Sequence, residues 1–82
     1  MAELRLVCCG VSAEWLGSET LSIDTGGART AAELLDLLTR RFPDFAGHRN
    51  SVVLAAGDRV LADGASLDRL DELALIPPVS GG

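Results

Sequence analysis

A leucine-rich segment in the middle of the chain constrains the fold more than any other feature. Thr30 stands three residues before Glu33, which is the spacing of a capping box at the start of a helix. The apolar residues that follow recur at helical period and form one stripe: Leu34, Leu35, Leu37, Leu38 and Phe42. Because Pro43 disfavours helical geometry in the residue before it, we predict a helix from about Ala31 to Arg41. One helix with an apolar stripe needs a second layer to cover that stripe.

Stretches with the character of β-strands lie on both sides of this helix. These stretches are residues 4–9, 20–24, 51–56, 59–62 and 73–76. In the first two, apolar side chains alternate with other residues at a period of two, and residues 10–17 between them are predicted to form a loop. Gly57-Asp58 indicates a hairpin turn later in the chain. A helix between two hairpins buries its stripe by lying across a sheet, so the predicted class is α+β, with a mixed sheet of four to five strands packed on one main helix.

The first strand is predicted to have two unlike faces. Leu6 and Cys8 share one side and should face the core, whereas Val7 and Cys9 share the other side. A disulfide between the neighbouring Cys8 and Cys9 would be strained, so both are predicted to be free thiols. Small buried side chains explain them better than a metal or nucleophile site with His48, since one imidazole and two divergent thiols do not make a tetrahedral set.

The charge balance narrows the class of partner. The chain has 82 residues with 12 acidic and 7 basic side chains, a net charge of −5, and every basic side chain is an arginine. Nucleic-acid binding depends on Lys and Arg neutralising phosphates, so this balance argues against a nucleic-acid partner and favours proteins with basic docking surfaces. No apolar run reaches the roughly 20 residues that span a bilayer, and residues 1–5 lack the start of a signal peptide. We therefore expect a cytoplasmic protein without a membrane partner.

The last residues, 77–82, differ from the predicted domain of residues 1–76. Pro77-Pro78 cannot continue a strand and prefers an extended conformation, so residues 77–82 are expected to form an extended, flexible tail that projects from the domain over roughly 20 Å. Gly81 and Gly82 lack a Cβ and can enter a channel too narrow for other residues. The carboxylate of Gly82 is ionised at neutral pH and can attack the α-phosphate of ATP without a general base of its own. The tail is the group predicted to carry the chemistry.

The closing residues 71–82, DELALIPPVSGG, resemble the end of the ubiquitin-like sulfur carriers, the MoaD and ThiS family, and are most similar to the small subunit of molybdopterin synthase. The resemblance extends more loosely over the whole chain, and it implies a ubiquitin-like β-grasp fold. It also implies that Gly82 is adenylated and then thiocarboxylated, that Gly81 threads the partner's tunnel, and that sulfur is donated in the synthesis of molybdopterin for the molybdenum cofactor. The Pro77-Pro78 pair is more similar to the molybdopterin branch than to the thiamine branch.

The same resemblance implies the partners. An adenylating enzyme of the ubiquitin-activating type, similar to MoeB and ThiF, would use ATP and Mg, while the carrier itself would bind no cofactor and no metal. The acceptor would be a synthase such as the large subunit of molybdopterin synthase. Contacts with these partners are expected from the tail and from the outer side of the first strand: Pro77, Pro78, Val79, Ser80, Val7 and Cys9.

Other functions stay open at this point. The same chemistry can serve another product, such as the thiazole of thiamine, cysteine or a thio-containing secondary metabolite. A ubiquitin-like modifier would join Gly82 to lysines of target proteins, and a plain binding module would have an inert tail. An enzyme in its own right is not expected, because no nucleophile, base and orienting group appear together. Trp15, placed in the predicted loop, is equally suited to an interface and to the edge of the core.

Overall fold

The fold is a five-stranded sheet with one long helix across it. The computed structural model describes residues 3–77. Its elements in chain order are β1 (Glu3–Cys8), α1 (Ser12–Leu16), β2 (Thr20–Asp24), α2 (Ala31–Arg41), α3 (Pro43–Ala46), β3 (Val53–Ala56), β4 (Arg59–Leu61) and β5 (Glu72–Ile76). A short 3-10 turn, Arg49–Ser51, lies between α3 and β3. Within the described range, no helix has the length and apolar character that a membrane span requires.

The sheet is mixed, as predicted. Its strand order is β2-β1-β5-β3-β4. β1 and β5 run parallel, whereas the β1–β2, β3–β5 and β3–β4 pairs are antiparallel. β5 comes last in the chain and yet lies at the centre of the sheet, between β1 and β3. The strand that leads to the tail is therefore held on both sides by backbone hydrogen bonds.

Local sequence explains where α2 begins and ends. The Thr30 side chain accepts a hydrogen bond from the Glu33 amide at 3.2 Å, and the Glu33 carboxylate accepts one from the Arg29 amide at 2.7 Å. The first bond pairs an amide that the helix start leaves without a helical partner, and the second holds the residue before the cap against the first turn. At the other end Pro43 opens the next helix, α3. The predicted helix, Ala31–Arg41, is confirmed in type and in bounds.

The leucine stripe of α2 packs on one face of the sheet, the inner face. The buried side chains that join the helix to the strands are Leu4, Leu6, Cys8, Ile23, Leu34, Leu35, Leu38, Leu54, Leu73 and Leu75. Full burial of one large apolar side chain contributes about 1.5–3 kcal/mol. Because these side chains come from β1, β2, α2, β3 and β5, the core ties the first strand to the last one.

The predicted loop at 10–17 is wrong in part, because Ser12–Leu16 form the helix α1. A single turn shows no helical period in the sequence and is too short to be stable alone. Packing holds it in place: Leu16 is buried, and Trp15 packs against the core cluster. Gly17 ends the turn in the left-handed conformation, with φ 80°.

Candidate functional site

The tail leaves the sheet from its central strand. β5 ends at Ile76, where a following proline has no amide to donate, and Pro77 is the last described residue. The other predicted tail residues lie outside the described residues: Pro78, Val79, Ser80, Gly81 and Gly82. Their roles stay predictions from the sequence.

Pro77 lies beside the turn that follows β1. A Cβ built on Gly10 would lie 3.5 Å from Cγ of Pro77, which is van der Waals contact. Gly10 has φ 55°, in the left-handed region that favours glycine. The start of the tail and the turn before α1 are therefore neighbours at one end of the sheet.

The side of the sheet away from α2 carries a band of apolar residues. One row crosses the five strands in register: Thr20 of β2, Val7 of β1, Ala74 of β5, Ala55 of β3 and Val60 of β4. Val53 and Ile76 pair next to this row, toward the tail. The apolar residues of this band are termed the outer apolar face: Val7, Val53, Ala55, Val60, Ala74 and Ile76. Val60 is 65% exposed and Val53 40%, so the face presents apolar surface to solvent at these positions, whereas the small side chain of Ala55 is buried between its neighbours.

The two cysteines occupy different environments. Cys8 is buried in the core and Cys9, just after β1, is half-buried, and both are free thiols as predicted. Burial, and then the neighbouring Cys9, raise the pKa of the Cys8 thiol, which keeps it protonated at neutral pH. The prediction of buried thiols holds for Cys8, whereas Cys9 keeps partial access to solvent. Among residues 3–77, no group of three or more His, Cys, Asp and Glu side chains is arranged to hold a metal ion.

An ion pair borders the outer apolar face at the end opposite the tail. Nη1 of Arg5 lies 3.5 Å from Oε2 of Glu72, its cross-strand neighbour on β5. The two side chains are 63% and 56% exposed. A pair this exposed contributes little to stability and remains accessible to a partner.

Ser12 is a residue near the tail that sequence reasoning missed. It is fully buried, and its Oγ donates to the carbonyl of Cys9 at 2.5 Å and lies 3.3 Å from that of Leu75. Ser12 and Leu75 are 63 positions apart, so no local pattern marks their contact. A serine between glycines in an apparent loop is indistinguishable by sequence from a solvated turn residue.

Trp15 belongs to the edge of the core. Its ring stacks on His48, with centroids 3.9 Å apart and planes 5° apart, and lies 6.4 Å from the ring of Phe45. These contacts join α1 to the segment around α3. Of the two alternatives left open by the sequence, the core edge is the one that the structure supports.

A mixed sheet in this order, one main helix and a central last strand define a ubiquitin-like β-grasp protein. The crystal structure of SAMP1, the small archaeal modifier protein 1 of Haloferax volcanii, is similar over 99% of this chain and 100% of that chain, with 28% identity and a TM-score of 0.79. A putative molybdopterin converting factor, subunit 1, from Pyrococcus furiosus covers 96% of this chain and 100% of its own, with a TM-score of 0.81. Its 15% identity makes that likeness one of fold alone.

Within that class, the chain belongs to the ThiS family, whose model matches residues 10–82. It is also similar to a molybdopterin synthase sulfur carrier subunit from Arabidopsis thaliana. The two are 34% identical over 80 residues, which cover 98% of this chain and 83% of that protein. The family and the β-grasp fold expected from the closing residues are confirmed.

Proposed function

We propose that this protein is a sulfur carrier whose Gly82 carboxylate is adenylated, converted to a thiocarboxylate and used as the sulfur donor in molybdopterin synthesis. The observation that carries the proposal is that the family match extends through residue 82 and so includes the Gly81-Gly82 end. The similar Arabidopsis protein bears the name of a molybdopterin synthase sulfur carrier subunit. The fold supports this function, because a central strand, held on both sides, leads directly into the tail.

The proposed chemistry takes place on the tail. A carboxylate oxygen of Gly82 attacks the α-phosphorus of ATP and pyrophosphate leaves, which forms an acyl-adenylate. Hydrosulfide then attacks the acyl carbon, AMP leaves with one oxygen, and loss of the sulfur-bound proton gives the thiocarboxylate. ATP and Mg belong to the adenylating partner, where the metal offsets phosphate charge. The carrier acts as a substrate and binds no cofactor of its own.

The outer apolar face is the proposed docking surface for a MoeB-like or ThiF-like adenylating enzyme and for the large subunit of molybdopterin synthase. It carries the predicted contact Val7 and reaches the start of the tail at Ile76, beside Cys9. A partner that covers this face buries apolar surface while the tail enters its active site. The remaining predicted contacts follow at the tunnel entrance: Pro77, Pro78, Val79 and Ser80. We place this exchange in the cytoplasm, where reducing conditions keep thiols free.

Mass spectrometry tests the proposal. The protein is incubated with ATP, Mg, a MoeB-like enzyme and sulfide, and we expect one oxygen-for-sulfur exchange in the wild type and none in a variant lacking Gly82. Oxidation adds nearly the same mass, so the exchange is measured on the tryptic peptide 70–82, which contains no Met, Cys or Trp. An unchanged peptide, from an enzyme that is active on its own carrier, would contradict the proposal.

A second experiment identifies the acceptor. The thiocarboxylated protein is mixed with the molybdopterin synthase large subunit and its substrate or, in parallel, with a thiazole synthase and its substrates. We expect the thiocarboxylate to be consumed only in the first mixture. Consumption by the thiazole synthase alone would assign the carrier to thiamine synthesis, and consumption by neither would point to cysteine or a secondary metabolite as the product.

A protein modifier is the second candidate, because SAMP1 is similar over nearly the whole chain. A target lysine would attack the same adenylate, release AMP and form an isopeptide bond to Gly82. The chain contains no lysine, so such adducts could not be extended on lysines of a second copy. The test is a tagged form expressed in cells, beside the variant lacking Gly82. Adducts that depend on Gly82 would establish modification, and their absence would leave the carrier function alone.

A further inference from the structure

The turn after β1 is tied to the strand that leads into the tail. The Ser12 hydroxyl lies between the carbonyls of Cys9 and Leu75, at 2.5 and 3.3 Å, and the Cys9 amide donates to Leu75 at 3.0 Å. The hydroxyl has one proton, which it donates mainly to the closer Cys9 carbonyl, and the Leu75 carbonyl, with two acceptor positions, has room for both this hydroxyl and the Cys9 amide. Since Ser12 is fully buried, no water competes for its hydroxyl. The start of α1 is therefore joined to β5 just before Pro77.

The same turn lies beside the start of the tail. Gly10, with φ 55°, lies where an added Cβ would meet Cγ of Pro77 at 3.5 Å. Its carbonyl also accepts the Ala13 amide at 3.2 Å, so Gly10 is part of the turn that opens α1. The backbone of this turn is therefore next to the first tail residue.

We propose that Gly10 and Ser12 are positioning residues for the tail: the turn that opens α1 sets the direction in which the chain leaves β5, and so where Gly82 arrives. This inference rests on the proposed function. Residues 77–82 span at most roughly 20 Å when fully extended, so the direction of the chain at Pro77 limits the region that the rest of the tail can reach. Group transfer depends on such placement, since a misplacement of about 1 Å can lower a rate about 100-fold.

The Ser12 contact can be removed without leaving a buried carbonyl unpaired. In Ser12→Ala, the Cys9 carbonyl keeps the bond from the Ser12 backbone amide at 3.1 Å, and the Leu75 carbonyl keeps the bond from the Cys9 amide at 3.0 Å. We therefore expect this variant to fold. What it loses is the hydroxyl between α1 and β5.

The experiment measures thiocarboxylation rates against carrier concentration for Ser12→Ala and Gly10→Ala. Ser18→Ala is the matched serine control, because it removes a hydroxyl that donates to Thr20 at 2.9 Å on the protein surface. Gly17→Ala is the matched glycine control: it places alanine at φ 80° at the other end of α1, where an added Cβ meets nothing within 4 Å. Alanine is strained at both positions because both have positive φ, but only at residue 10 does the added Cβ lie next to Pro77.

We expect Ser12→Ala and Gly10→Ala to lower kcat about 10-fold or more while the KM for the carrier changes less than about 2-fold, because the outer apolar face is intact. Both controls should match the wild type. Thermal unfolding of each variant shows whether the protein tested is folded. If Gly10→Ala does not fold, the kinetics of Ser12→Ala alone decide whether the turn positions the tail.

The outcomes separate this inference from the proposed function. A wild type that gains no sulfur overturns the proposed function and the positioning role with it. A wild type that gains sulfur, beside Ser12→Ala and Gly10→Ala variants as fast as their controls, overturns the positioning role alone. A rise in KM at unchanged kcat also overturns it, because that result would assign the two residues to docking.

Discussion

The inner and outer faces of the sheet are built from alternate residues of the same strands, yet their roles differ. On β1, Leu6 is buried under α2, whereas its neighbour Val7 is half-buried on the outer apolar face. On β5, buried Leu75 alternates with half-buried Ala74 in the same way. The inner face stabilises the domain by packing, and the outer face keeps apolar surface that a partner can cover. Alternate residues of the same strands thus stabilise the fold on the inner face and are available for binding a partner on the outer face.

The largest expected difference between the faces is in stability. Leu6→Ala should lower the free energy of unfolding by about 3 kcal/mol, because it leaves a cavity in a fully buried position. Val7→Ala removes a half-buried side chain and should cost less than about 1 kcal/mol. Urea unfolding of both variants measures the contrast. Equal losses would show that the outer side of β1 contributes to stability as much as the core does.

A charge on the outer apolar face should separate binding from stability. Val60→Asp should weaken binding to the adenylating enzyme about 10-fold, which is about 1.4 kcal/mol, because a carboxylate would be buried in the interface. Unfolding should change by less than about 0.5 kcal/mol, since Val60 is 65% exposed.

Isothermal titration calorimetry measures this effect. Ala46→Asp is the matched control, because it adds the same charge at an exposed position on α3, away from the outer apolar face. Undiminished binding by Val60→Asp would remove that residue from the docking surface.

The two thiols should differ in their response to alkaline pH. Burial raises the folded-state pKa of Cys8 above 9.0, its ordinary value, so the folded state holds that proton more tightly than the unfolded chain does. The resulting stability is fully present below pH 9.0 and is lost as the pH rises through the folded-state pKa.

We expect the free energy of unfolding to fall above this pH in the wild type and in Cys9→Ala, and to fall less in Cys8→Val. Urea unfolding across the alkaline range measures the slope. Cys9 should also react with iodoacetamide before Cys8, since it is the more exposed thiol. Identical slopes in the two variants would contradict the assignment to Cys8.

The smallest expected effect concerns the ion pair beside the outer apolar face. A double-mutant cycle with Arg5→Ala and Glu72→Ala should give a coupling below about 0.5 kcal/mol, because the side chains are 63% and 56% exposed. Thermal or urea unfolding of the two single variants and the double variant provides the cycle. A coupling above about 1 kcal/mol would show that the pair between Arg5 and Glu72 makes a substantial contribution to the free energy of unfolding.

Much of the fold could be predicted because its signals are local. Thr30 and Pro43 bound α2 through a hydrogen bond and a steric clash that involve near neighbours in the chain. Alternation along β1 placed Cys8 in the core and Val7 on the opposite side. α1 could not be predicted, because one helical turn has no period to detect and its stability comes from packing partners distant in sequence, such as Phe45.

The candidate site, like the fold, could be predicted where its signals are local and could not where they depend on contacts between distant parts of the chain. By itself the sequence determined which residues alternate toward each face and which chemical groups the tail carries, because backbone periodicity and carboxylate chemistry depend on local covalent structure. Only the tertiary structure decided that Val60 joins Val7 in one apolar row, and that Ser12 lies against the strand leading to the tail. These contacts arise from strand order, which is selected by burial of the whole core and by the closure of long loops.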